Sequence, residues 1–404
     1  MSRLLKQPLC LLAALAGLAA LSACSEPSED PAPDKDLVSS RSYKGHENDA
    51  DSNNFVNAYR ATVGTRLDDC QTCHRGGEFT AGGKKFTKNA CDYCHLILHP
   101  APDFEEKQPT TYAETLNPYG TAYRDAGRTK QALLDIDGQD SDGDGSANGA
   151  EIADLKYPGD PMSKPGQPNA PQKVFTLAEI QALSAHDQFQ LNNSTKQEYD
   201  DYAGYKGVKV RDLLVAAGVD PADPNITGIT VIAPDGFLKD FSIDEVNKAY
   251  PKGLFYAGLD TATLGPTCGF VTYPEELPEG LVDGGEIPGE QWLLLAYERD
   301  GRPLDPCNLD VTEGKINGEG PLRVVVPQKK PGKPDRGSKY SPTSCDDGYD
   351  FDPDADHNAG EMVRGAVAIR INPLTAGFED FDARNGGWAF IDNSSLIVYG
   401  YGIE

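Results

Sequence analysis

The chain has 404 residues, with 63 acidic against 37 basic side chains and a formal net charge of −26. A surplus of that size repels phosphate backbones, so nucleic acid is excluded as a partner and a basic protein surface is favoured. The length allows two or three domains, each with a core of its own.

Arg3 and Lys6 precede an apolar run from Leu9 to Ala20, too short to span a bilayer as a helix but of signal-peptide length. The run ends in Leu21-Ser22-Ala23-Cys24, the pattern of a bacterial lipobox. This predicts a leader over 1–23 and Cys24 as an acylated (palmitate-bearing) N-terminus; an ordinary signal peptide with an incidental cysteine is the alternative. Ser25 after the cysteine points to the outer membrane, on its periplasmic or cell-surface side. Residues 24–40 are rich in Pro, Ser and acid and predict a flexible tether. Beyond the leader, no stretch has the length and apolarity of a transmembrane segment.

Residues 41–160 are sparse in apolar side chains and predict a small, mainly helical or irregular domain. They contain Cys70-Gln71-Thr72-Cys73-His74 and Cys91-Asp92-Tyr93-Cys94-His95. Two thiols three positions apart reach the two vinyl groups of one porphyrin, while the next residue places an imidazole on its iron. A four-cysteine zinc site or two disulfides would use the same thiols, but neither requires a histidine after each pair. Two covalently bound haem c groups would then fill the missing core and add iron to the chain.

Of the other histidines, His46 and His99 fall in this region, whereas His186 and His357 lie far downstream. Residues four apart project from one side of a helix, so His99 cannot reach the opposite face of a haem held by His95. His99 is therefore assigned to the haem at Cys70 and Cys73, and His46 to the iron of His95. A His/Met pair using Met162 and an open, reactive site are the alternatives to this bis-histidine arrangement.

Asp140 to Glu151 has the spacing of a calcium loop. Oxygen ligands fall at Asp140, Asp142, Asp144 and Asn148, the carbonyl of Ser146 takes the seventh position, Gly145 makes the turn, and Glu151 closes with a carboxylate. The flanking helical signals, Gln131 to Leu134 and Ile152 to Lys156, are short, so the loop reads as a structural clamp rather than a sensor; a solvated acidic turn is the alternative. Tyr157 to Lys173 carries Pro158, Pro161, Pro165, Pro168 and Pro171 and cannot be a regular element, so 161–173 is a linker.

From 174 to 404 the pattern becomes α+β around a mainly antiparallel sheet. Thr176 with Glu179 and Ser242 with Glu245 are capping-box pairs. Lys209 to Ala217 predicts a helix closed by Gly218. Strands are predicted at Ile229–Ile232, Trp292–Tyr297, Leu322–Val326, Ala366–Ile371 and Ser395–Tyr399.

The segments Tyr205-Lys206-Gly207-Val208-Lys209-Val210-Arg211-Asp212-Leu213-Leu214, Ala217-Gly218-Val219, Ala233-Pro234-Asp235-Gly236-Phe237, Leu295-Ala296-Tyr297, Asp300-Gly301-Arg302-Pro303-Leu304 and Gly320-Pro321-Leu322-Arg323-Val324-Val325-Val326-Pro327 resemble, in order, the molybdopterin-binding domain of sulfite oxidases. The resemblance covers about 174–330, leaves a C-terminal extension, and implies the fold. It does not carry over the active site: the family's molybdenum-ligating cysteine precedes the Tyr-x-Gly-Val segment, and no cysteine lies between Lys173 and Tyr205. Molybdopterin is therefore not expected. Of Cys268, Cys307 and Cys345, two are expected to form a disulfide, with Cys307 and Cys345 the preferred pair. Asp346 to Asp356 with His357 reads as a solvated acidic loop, a second cation site being the alternative.

The chain as a whole resembles exported dihaem c-type cytochrome lipoproteins. That resemblance implies a carrier of single electrons in the cell envelope, serving respiration to an external acceptor, with other cytochromes bearing basic docking surfaces as partners. Two alternatives remain: a haem-coupled molybdopterin oxidoreductase, or a C-terminal module that docks a partner cytochrome.

Overall fold

A computed structural model of the chain describes residues 50–81, 84–98, 108–195, 200–310, 315–336, 345 and 347–403. The leader, Cys24 and the tether lie outside the described residues, as do His46 and His99. Residues 37–404 form one compact unit, a mixture of helices and sheets. No helix among the described residues is long and apolar enough to cross a membrane.

The first part is built from short helices: α1 (Ala50–Ala58), α2 (Ala90–His95), α3 (Tyr112–Thr115), α4 (Pro118–Asp125), α5 (Lys130–Asp135) and α6 (Asn148–Ala153), with a hairpin of β1 (Gly77–Ala81) and β2 (Lys84–Lys88). Each is too short to be stable alone, so tertiary packing must hold it. That packing is a small cluster around Phe55, Val56, Leu67, Tyr119, Leu133 and Ile152. The proline-rich segment that follows is irregular as far as Pro171, after which Gln172 and Lys173 open a strand, contrary to the expected linker end, and the segment does not hang free. Tyr157 and Ser163 are buried, and both donate side-chain hydrogen bonds into the second part, to Asp382 and Glu379 at 2.9 Å each.

The second part holds two sheets. One has the strand order β3-β12-β11-β6-β7, where β3 is Gln172–Thr176, β6 Gly228–Ile232, β7 Leu238–Ser242, β11 Ala368–Asn372 and β12 Ser395–Gly400. All its pairings are antiparallel except β11 with β12. The other runs β10-β9-β8-β5-β4, with β4 His186–Asn192, β5 Asp200–Lys209, β8 Leu294–Arg299, β9 Arg323–Val325 and β10 Val363–Arg364; short strands at Val271–Thr272 and Arg302–Pro303 extend it. β6, β9 and β12 are buried along their whole length.

The helices α7 (Leu177–Gln181), α8 (Val210–Ala217), α9 (Ile243–Asn247), α10 (Thr261–Cys268) and α11 (Ala383–Asp392) complete this part. Both expected capping boxes form, at Thr176 with Glu179 and Ser242 with Glu245. α8 buries Val210, Leu213, Leu214 and Ala217, an i, i+3, i+4, i+7 face, and ends on Gly218 at φ 95°.

One expectation needs correction. The disulfide joins Cys268 and Cys345, not Cys307 and Cys345. Cys307 is buried among Ile316, Val367, Ala383 and Ile391, where it serves as a small apolar side chain facing α11.

Candidate haem and cation sites

The first Cys-x-x-Cys-His motif is a 3-10 turn at Cys70–Thr72, capped by Asp69, whose Oδ1 accepts from the Gln71 amide at 3.0 Å. The amides of Cys73 and His74 both donate to the Cys70 carbonyl, at 3.1 and 2.8 Å, which winds the two thiols and the imidazole onto one turn. α4 clamps this turn. Asn117 donates from Nδ2 to the carbonyls of Gln71 and Thr72, at 3.1 and 3.0 Å. Gly120 lies so close that a Cβ there would sit 2.0 Å from the Cys73 carbonyl oxygen. The second motif is α2 itself. The hairpin between the motifs folds them together, with the Tyr93 ring filling the space where a Gly77 Cβ would stand.

All six motif side chains, those of Cys70, Cys73, His74, Cys91, Cys94 and His95, line a single cavity of about 490 Å3. A second cavity of about 500 Å3 shares His74 and Arg384 with it and opens between the first part and the sheet that contains β6 and β7. Both sizes are in the range of cofactor sites. None of the four motif cysteines is in a disulfide. Among the described residues, the only group of three or more potential metal-ligating His, Cys, Asp or Glu atoms lying within 4.8 Å of one another is Asp140, Asp142 and Asp144. The motif thiols are therefore arranged around a space rather than gathered as a tetrahedral zinc cage.

His74 is oriented. The Thr115 hydroxyl donates to the Tyr112 carbonyl at 2.8 Å, and so accepts from His74 Nδ1–H at 2.9 Å. The lone pair then lies on Nε2, the tautomer an imidazole needs to ligate iron, with the second nitrogen fixed as metal-ligating histidines require. His95 is exposed.

Cys70 and Cys91, one from each motif, hydrogen-bond to each other. That contact, with burial, raises the Cys70 thiol well above its ordinary range. The same contact lowers Cys91, helped by Arg384 against the opposing effect of burial. Arg384 comes from α11, nearly three hundred residues downstream, and donates from Nη1 to Cys91 Sγ at 2.8 Å. It also pairs with Asp69 at 2.8 Å, both side chains being buried.

Residues 140–151 are turned by backbone amides that donate to the loop's own carboxylates. Asp140 accepts the amides of Gly143 and Gly145, at 2.8 and 3.0 Å, and Asp144 that of Ser146 at 2.7 Å. Asn148 acts as a strut: its amide donates to the Ile136 carbonyl and its oxygen accepts from Ser141, at 2.8 and 3.1 Å. Glu151 is fully buried, and neither of its carboxylate oxygens has a hydrogen-bond partner; the same holds for one oxygen each of Asp142 and Asp144. Burial, then the neighbouring aspartates, pushes Glu151 up to about 8, and burial with Asp144 pushes Asp142 up to about 6. A buried carboxylate without a partner costs several kcal/mol, and a hard cation is the group whose chemistry removes that cost.

The thiolate that a sulfite-oxidase-type molybdenum centre requires does not fit the second part. Cys268 and Cys345 are spent in the disulfide. Burial pushes Cys307 up to about 11, so it is a neutral thiol, and it lines neither cavity. His357 is likewise committed, with Nε2 3.1 Å from Asp335 Oδ2 and its ring stacked on Phe351 at 5.1 Å. Asp356 accepts the amides of Lys329 and Lys330.

Sequence reading missed Asp69, Thr115 and Arg384. Asp69 alone left a signal, as a capping residue directly before the first motif. The chain matches no family model, no curated protein and no solved structure.

Proposed function

We propose that this protein is an exported dihaem c-type cytochrome that carries single electrons in the cell envelope, held at the outer membrane through a lipid on Cys24. The observation that carries the reading is that both motifs present all their thiols and both imidazoles to one cavity, with His74 already held in the ligating tautomer by Thr115. Haem supplies a one-electron iron couple when bound.

The chain's own residues do the rest. Cys70, Cys73, Cys91 and Cys94 anchor the porphyrins as thioethers. His74 and His95 hold iron on one side, and His46 and His99 are proposed for the other. Phe55, Leu67 and Tyr123 in the cavity wall exclude water. The acidic loop of Asp140, Asp142, Asp144, Ser146, Asn148 and Glu151 binds calcium and clamps the end of this part. Partners are redox proteins with basic docking surfaces, which the charge of −26 attracts over distance at low salt. The second part is read as a noncatalytic, sulfite-oxidase-like domain because, of its own cysteines, Cys268 and Cys345 are joined in a disulfide and Cys307 is a buried thiol that lines neither cavity.

Replacing Cys70 and Cys73 together by alanine removes one covalent haem, and replacing Cys91 and Cys94 removes the other. Each variant then shows half the pyridine-haemochrome absorbance per chain. A variant that keeps the full absorbance contradicts the assignment.

A further inference from the structure

The cavity that both motifs line is closed by a residue of the other part of the molecule. Arg384 is near the start of α11, whose N-cap is Asp382. Its stem packs over the turn between β6 and β7: a Cβ on Gly236, which sits at φ +87°, would meet Arg384 Cγ and Cδ at 3.0 Å. Its guanidinium reaches Cys91 Sγ and Asp69. The neighbouring chain is pinned just as firmly. Arg66 bonds Glu379 and Asp382, at 2.6 and 3.0 Å, and lies 4.4 Å over the Tyr157 ring. Lys156 also pairs with Glu379. The position of Arg384 in the cavity is thus fixed by the docking of one part on the other.

We propose that Arg384 and Asp69 form an opposed pair of charges through which the second part sets the reduction potential of the adjacent haem centre. The inference rests on the dihaem reading and assigns a role to the second part within it. Both groups are buried, so their fields are weakly screened. A fixed positive charge favours the reduced iron, which carries one positive charge fewer than the oxidised iron, and so raises the potential. Asp69 opposes it. One electron from the electrode converts ferric to ferrous iron, and neither side chain gains or loses a proton.

The test is a potentiometric titration of the full, haem-loaded protein, with haem content read alongside. Arg384→Gln lowers one of the two midpoints, shifting the equilibrium with a fixed mediator by about tenfold, or about 59 mV for one electron. Asp69→Asn keeps the cap on Gln71 and raises the same midpoint. The double variant returns towards the parent value. A purely structural role would move both single variants in the same direction, or lower the melting temperature with no change in potential, and either result overturns the proposal. If Arg384→Gln does not fold, the sign of the Asp69→Asn shift decides. A parent protein without covalent haem overturns the underlying reading instead, and is recognised by its spectrum before any titration.

Discussion

The two parts of this molecule bury themselves in opposite ways. Residues 172–403 close two sheets over strands such as β6 and β12 that are buried from end to end, and this part meets the second cavity with the β6–β7 turn and the start of α11. Residues 50–157 have a small apolar cluster and surround a cavity lined by thiols, imidazoles and charged groups. The first is buried by its own apolar side chains, and the second sets a small apolar cluster beside its cavity. The pair works as one unit because Glu379, Asp382 and Arg384 of the rigid part reach into the other.

If the rigid part holds the other in place, breaking its anchor should cost most. Glu379 is buried and bonded to Arg66, Lys156 and Ser163. Glu379→Ala leaves Lys156 without its carboxylate and Arg66 with Asp382 alone, and is expected to destabilise by about 3–5 kcal/mol, measured by denaturant unfolding, with new proteolytic cleavage within 157–171. An unchanged unfolding curve would show that the two parts stand independently.

The cation loop sharpens the contrast at a smaller scale. In the cation-free protein the folded-state values of Glu151 and Asp142 are raised, so folding favours their protonated forms. That contribution is complete below the ordinary carboxylate range and is lost as pH rises towards 8, where the loop needs a cation. Calcium at a hundred times its dissociation constant should add about 2.7 kcal/mol. Chelation is therefore expected to lower the melting temperature more at pH 8 than at pH 5, and Asp144→Ala should abolish the difference. Equal melts with and without chelator would return 140–151 to an acidic turn.

The smallest effect is local to the cavity. Thr115→Val keeps shape but removes the acceptor of His74 Nδ1–H, a loss of about 1 kcal/mol. Haem content should stay whole while the reduced absorption bands and one midpoint shift slightly.

What could be read from the sequence follows from range. The cysteine-histidine motifs, the acidic loop, the capping boxes and α8 are set by residues within one or two turns of each other, and of these the capping boxes and α8 form as expected. β4 and β5 were not expected, for identifiable reasons. β4 carries Gln188, Gln190 and Asn192 on a buried face, where their amides bond in a ladder at 2.8 and 3.0 Å, so its period looked solvent-facing. β5 contains Gly207, which reads as a strand breaker, yet a Cβ there would stand 2.1 Å from the Leu295 carbonyl oxygen of β8. The Cys268–Cys345 bond and the reach of Arg384 depend on contacts across tens to hundreds of residues, and no local pattern encodes them.

The central claim is that the six motif residues hold two haems. Its most direct test is the absorption spectrum of the purified, exported protein in alkaline pyridine, taken together with metal analysis. The account predicts c-type bands that remain with the chain after acid-acetone extraction, at two irons per chain. A colourless protein, or one with zinc in place of iron, would contradict it.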